Sequence, residues 1–90
     1  MAVTVKIPTQ LRAATDGEST AEVDGSTVGE VLDSLYERYG ELRSRIAEDG
    51  GLRRFVNVYV GGEDIRFLEG LDTPVADGQT VSVVPAVAGG

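Results

Sequence analysis

Hydrophobic and polar positions alternate from the start of the chain. Val3, Val5 and Ile7 fall on one side, and Ala2, Thr4 and Lys6 on the other. This is the period-two pattern of a half-buried strand. Pro8 ends that strand or marks a sheet edge. Asp16-Gly17 is a turn signal. A second short strand is predicted around residues 19–23, closed by Asp24-Gly25. The two strands read as an N-terminal hairpin whose loop is too long to fix the register.

The pattern then changes period. Val28, Val31, Leu32, Leu35 and Tyr39 recur at helical spacing on one face. Thr27 and Glu30 have the spacing of a capping box, with Ser26 as an alternative cap. Gly40 is placed as the C′ residue that takes a positive φ. The opposite face carries Glu30, Asp33, Glu37 and Glu41. These like charges repel by a few tenths of a kcal/mol per pair, and the acidic start suits the helix macrodipole. Leu42 and Ile46 predict a short second turn of helix, ended by Asp49-Gly50-Gly51. Alternation returns at 55–60, with Val56, Val58 and Val60 on one face and Phe55, Asn57 and Tyr59 on the other. Gly61-Gly62 turns the chain, and Ile65 and Phe67 suit a short strand. Asp77-Gly78 precedes a last strand over 80–84, with Val81 and Val83 inward and Ser82 and Val84 outward. Pro85 stops its ladder because it has no N–H to donate.

One amphipathic helix can cover one apolar face of one mixed sheet. The expected fold is therefore a two-layer α+β domain, with a sheet of four to five strands. A strand parallel to the first requires a crossover, and the main helix is long enough to supply it.

Composition narrows the function. Ninety residues make one domain with room for one modest core. No run approaches the ~20 apolar residues that span a bilayer, and residues 1–6 lack the form of a secretory signal. Cysteine is absent, so no disulfide forms, which fits a cytoplasmic location. Histidine is absent too, which excludes Cys or His metal sites and His-based general-base chemistry. The net charge of −7 makes nucleic acid and anionic membranes poor partners. Asp33/Glu37 and Glu63/Asp64 are carboxylate pairs of the kind that helix and turn surfaces commonly hold. Gly50-Gly51 and Gly61-Gly62 lack the Gly and Lys spacing of a phosphate loop. No metal site and no resident cofactor are expected.

The candidate chemistry lies at the end of the chain. From Gly78 to Gly90 no side chain is charged, and the last two residues are Gly89-Gly90. A terminal Gly-Gly arises by chance about once in 200 sequences, so its meaning depends on what precedes it. What precedes it is Asp77-Gly78-Gln79-Thr80-Val81, then Ser82-Val83-Val84, Pro85, and the short run Ala86-Val87-Ala88. This ending resembles that of the ubiquitin-like sulfur-carrier proteins, the ThiS/MoaD family with its β-grasp fold. The segment from Arg54 to Val60 and the opening Val3-Thr4-Val5-Lys6-Ile7-Pro8-Thr9 look most like the CysO branch, the carriers for cysteine biosynthesis. The similarity runs the full length.

The resemblance implies a β-grasp domain over 1–85 and a flexible tail over 86–90. It implies a carrier and not an enzyme. An E1-like partner would adenylate the Gly90 carboxylate with ATP, and sulfur transfer would leave a C-terminal thiocarboxylate. In the CysO branch, a PLP-dependent cysteine synthase uses that thiocarboxylate to attack an aminoacrylate. A JAMM-type zinc metallopeptidase then releases cysteine. In the MoaD branch, the tail enters the large subunit of molybdopterin synthase instead. A third outcome is a protein modifier whose Gly90 forms isopeptide bonds with lysines of its targets.

The residues fit such a cycle. A carboxylate becomes a good electrophile only when its oxygen becomes a good leaving group, which adenylation achieves. Gly89 and Gly90 lack Cβ, so their backbone can approach a nucleotide closely. Ala86, Val87 and Ala88 are modest enough for a narrow channel, and residues 86–90 fully extended reach ~17 Å. With Gly90 last, no protease is needed to expose the pair. Ordering the tail costs about 1–2 kcal/mol per residue, so the globular part must contribute binding. Phe55, Tyr59 and Val84, on outward positions of the last strands, are the candidate docking residues.

Overall fold

The computed structural model describes residues 2–48, 51–52 and 56–85. The alternating opening forms strand β1, Ala2–Lys6, with Val3 and Val5 buried. Strand β2, Thr20–Asp24, pairs with it antiparallel, Ala2 opposite Asp24 and Lys6 opposite Thr20. It lies one residue later than expected. The long hairpin loop has structure of its own: a 3-10 helix, Thr9–Thr15, begins directly after Pro8. It buries Leu11, Ala14 and Thr15, and the Thr15 hydroxyl donates to the Glu18 carbonyl at 2.9 Å. The buried oxygen is thus satisfied, as a polar atom in the core must be.

Helix α1, Val28–Arg38, buries Val28, Val31, Leu32 and Leu35, with Tyr39 packed half-buried against them. Glu30, Asp33 and Glu37 are exposed on the other side, as is Glu41. The N-terminal cap differs from the expected box. Thr27 Oγ1 accepts from the Glu30 N–H at 3.2 Å, but the Glu30 carboxylate passes over Thr27 to Ser26, accepting from its N–H at 2.9 Å and its hydroxyl at 2.8 Å. Both Ser26 and Thr27 therefore take part. The helix start is pinned from outside as well: the Val28 N–H donates to the Thr73 carbonyl and the Val75 N–H to the Ser26 carbonyl.

Gly40 does not act as a left-handed C′ residue. The helix breaks at Tyr39, whose φ is −130° and ψ 83°, and Gly40 is the first residue of helix α2, Gly40–Ile46. The reason lies in the core. The apolar stripe continues through Leu42 and Ile46, both fully buried, and a one-residue break keeps the chain helical while re-aiming it. Strands β3, Ala47–Glu48, and β4, Gly51–Leu52, form a separate two-stranded ribbon.

Strand β5, Val56–Val60, turns at Gly61-Gly62 into the short β6, Glu63–Asp64. The expected strand through Ile65 and Phe67 is instead a 3-10 turn, Ile65–Phe67. Asp64 caps it by accepting from the Arg66 N–H at 2.9 Å, which ends the strand there. A further 3-10 turn, Gly70–Asp72, leads to the last strand, β7, Thr80–Pro85. Its ladder does not stop before Pro85, which stands opposite Val56. A strand's last residue can lack a donor without leaving a gap in the ladder.

The sheet order is β2-β1-β7-β5-β6. The parallel partner of β1 is β7, with Thr4 opposite Thr80 and Lys6 opposite Ser82. The first long strand after the helices, β5, is antiparallel to β7 and so runs against β1. The crossover that the helix makes possible is thus completed only by the last strand. Val3, Val5, Val58, Val81 and Val83 face α1 and α2 from the sheet, and each fully buried side chain of this size contributes about 1.5–3 kcal/mol. This is the mixed-sheet, helix-covered β-grasp arrangement. Among the described residues, no helix is long and apolar enough to cross a membrane.

Candidate functional site

The chain end is delivered by β7, and β7 is set by the turn before it. Gly78 adopts φ 83°, a conformation that favours glycine. Its N–H donates to the Ala2 carbonyl at 2.8 Å, and the Ala2 N–H donates to Asp77 Oδ1 at 2.9 Å. The Gln79 side chain accepts from the Ala76 N–H at 2.8 Å, and the Thr4 N–H donates to the Gln79 carbonyl at 3.0 Å. Asp77-Gly78 thus fastens the entry of β7 to the start of β1. From there β7 runs between β1 and β5 and ends at Pro85.

Gly90, Gly89, Ala88, Val87 and Ala86 lie outside the described residues, and so does Phe55. Tyr59 and Val84 are described, and both stand on the sheet face turned away from the helices. Val84 is 42% exposed and opposite Asn57; Tyr59 is half-buried and opposite Ser82. In a regular ladder this makes them diagonal neighbours, about 7–8 Å apart. The register thus places these two near one another at the end of β7.

Glu63 and Asp64 do not act as a carboxylate pair. Asp64 is largely buried and is taken up by Arg66, whose Nε and Nη2 donate to its two oxygens at 3.3 and 3.0 Å. Arg66 Nη2 also donates to Asn57 Oδ1. The Arg66 side chain and backbone hydrogen bonds hold the Asp64 carboxyl below the usual carboxylate range. Sequence reading missed this cluster, although Asp is a residue type whose side chain commonly bonds the backbone N–H two residues on. It also missed Phe67, which is 85% exposed. Asp33 and Glu37 remain on the exposed helix face. Burial, with the nearby Asp33 charge adding to it, pushes the Tyr36 phenol up to about 12. Among the described residues, no group of three or more His, Cys, Asp or Glu could hold a metal ion.

Residues 5–90 match the ThiS family. The chain belongs to that family. It is 46% identical over 93 residues to the sulfur carrier protein CysO of Mycobacterium tuberculosis, covering all of both chains. It is 46% identical over 67 residues to small archaeal modifier protein 3 of Haloferax volcanii, covering 74% of this chain and 73% of that one. The fold superposes on a chain of the Amycolatopsis orientalis BexX/CysO complex with a TM-score of 0.93 and 48% identity, over 99% of this chain and 100% of that one. Within the ThiS family, then, this chain is similar over its full length to proteins named CysO.

Proposed function

We propose that this protein is a sulfur carrier whose working group is the Gly90 carboxylate, most suited to cysteine biosynthesis. The observation that carries the reading is the placement of β7. The central strand, held on both sides, leads directly into an uncharged run that ends in Gly89-Gly90. Full-length identity to a protein named as the sulfur carrier CysO supports the same role. In this reading residues 1–85 are the domain and 86–90 the tail.

The chemistry needs only the carboxylate from this chain. An oxygen of Gly90 attacks the α-phosphate of ATP, pyrophosphate leaves, and an acyl adenylate forms. Hydrosulfide attacks its carbonyl carbon, the bond to the AMP oxygen breaks, AMP leaves, and the thiocarboxylate remains. An E1-like enzyme supplies the first step, a PLP-dependent cysteine synthase takes the sulfur, and a JAMM-type metallopeptidase frees the product. The Amycolatopsis CysO is seen in complex with BexX, which supports action through partner proteins. Phe55, Tyr59 and Val84 contribute docking area beside the tail.

The Haloferax relative, a small archaeal modifier protein, favours a second reading in which Gly90 forms isopeptide bonds with target lysines. Mass spectrometry of the protein from its own cell separates the two. A mass gain equal to one sulfur replacing one oxygen at Gly90 is the expected result. A ladder of lysine-linked species without that gain would replace the carrier reading with the modifier reading.

A further inference from the structure

Lys6 is the one lysine of the chain, and every other cationic side chain is an arginine. It ends β1 and is exposed, while Val5 before it is fully buried. Its side chain therefore stands on the sheet face turned away from the helices. The register sets its neighbours: Thr20 is opposite it on β2 and Ser82 on β7. Both are uncharged. Among the described residues Lys6 makes no ion pair, not even with Glu22, which lies diagonal to it on β2.

Strands β1 and β7 run parallel, so Lys6 lies beside the strand that carries the tail, three residues short of its end. Three residues of strand are about 10 Å and one strand spacing about 4.8 Å, which puts the Lys6 Cα about 11 Å from Pro85. The five residues after Pro85 span at most ~17 Å. The difference leaves length for a reversal of direction, and the flexible four-carbon stem of the lysine extends to meet it. The Gly90 carbonyl carbon is thus within reach of Lys6 Nζ of the same chain. A short flexible tether holds its two ends at an effective concentration of the order of millimolar. In protein more dilute than that, ring closure outruns linkage of two copies.

We propose that Lys6 is an intramolecular acyl acceptor for activated Gly90. This rests on the carrier reading above, which supplies the activated carbonyl. A tail held in the activating enzyme is drawn away from β1; an acyl adenylate that leaves without sulfur is free to turn back. The uncharged amine of Lys6 attacks the Gly90 carbonyl carbon and a C–N bond forms. The bond from that carbon to the AMP oxygen breaks, AMP leaves with the electron pair, and an amine proton passes to water. The product is a chain closed by an amide between Lys6 and Gly90. It has no terminal carboxylate left to activate, so the step retires a carrier that missed its sulfur. Arginine at this place could not serve, because its guanidinium stays protonated.

The test supplies the activated acyl group without the enzyme. The full-length chain is released from an intein fusion as its Gly90 thioester, in which a small thiol leaves in place of AMP. The wild type should lose its thioester about tenfold or more faster than Lys6→Arg. Its product should weigh one water less than the free acid, and peptide mapping should join Lys6 to Gly90. The rate should be the same at low and at high protein concentration. Lys6→Arg, which keeps the charge, should melt as the wild type does and give only the free acid. Equal rates of hydrolysis in the two proteins overturn the inference, as does a covalent dimer whose yield rises with concentration. Either failure leaves the carrier reading standing, since that depends on the sulfur-for-oxygen mass gain in the native cell.

Discussion

Gly25 shows how much a single residue can fix. A Cβ built there lies 2.7 Å from the Val31 backbone nitrogen and 2.8 Å from its Cγ2, because β2 hands the chain to α1 with no space between them. Gly25→Ala should therefore destabilise the domain by roughly 1–3 kcal/mol, the usual range for forced overpacking, read as a lower urea midpoint. Asp64 sets a pH dependence. Its carboxyl is held low in the folded state by Arg66 and is ordinary, about 3.9, in the unfolded chain. A depressed folded value gives stability that is present above the unfolded value and lost as pH falls through the folded one. The urea midpoint of the wild type should exceed that of Asp64→Asn near neutral pH, and the gap should narrow below about pH 4. A gap that widens on acidification would contradict the assignment. Glu30, held low first by the Ser26 N–H and then by its hydroxyl, has the same sign.

Elements were legible where the period was long and the partner local. Val28 to Leu35 gave α1 because four inward positions at helical spacing admit no other structure, and Val56 to Val60 gave β5 for the corresponding reason at period two. Ile65 and Phe67 misled because two alternating residues do not distinguish a strand from a 3-10 turn. The decision was made by the Asp64 side chain capturing the Arg66 N–H. Gly40 misled because glycine after a helical stripe favours a left-handed stop, yet Leu42 and Ile46 demanded that the helix resume. The structure gives Gly40 open space and no positive φ. Gly40→Ala should thus be neutral or stabilising by about 0.4–1 kcal/mol, whereas a C′ glycine would lose stability. Thermal melting of the one variant distinguishes the two geometries.

At the scale of the molecule, local signals gave the class and left out the strand order. Nothing between residues 1 and 85 announces that the last strand inserts between β1 and β5. That follows from which valine rows bury together, Val5 opposite Val81 and Val58 opposite Val83. The Gly-Gly ending was legible as chemistry, but Phe67 was not, because exposure is a property of the folded surface. Removing Gly89-Gly90 should leave the melting temperature within about 1 °C of the wild type, since the pair lies beyond the last strand, while abolishing adenylation. A clear loss of stability would mean that the tail packs on the domain. The position of β7 has a mechanical consequence as well. An enzyme that draws the tail into a channel pulls along the axis of this strand. Its hydrogen bonds to β1 on one side and β5 on the other are then loaded side by side, in shear, and not peeled one at a time. In the carrier reading the traction would be shared across both ladders, so the domain would move as one handle while the chain end was drawn out, without unravelling the sheet.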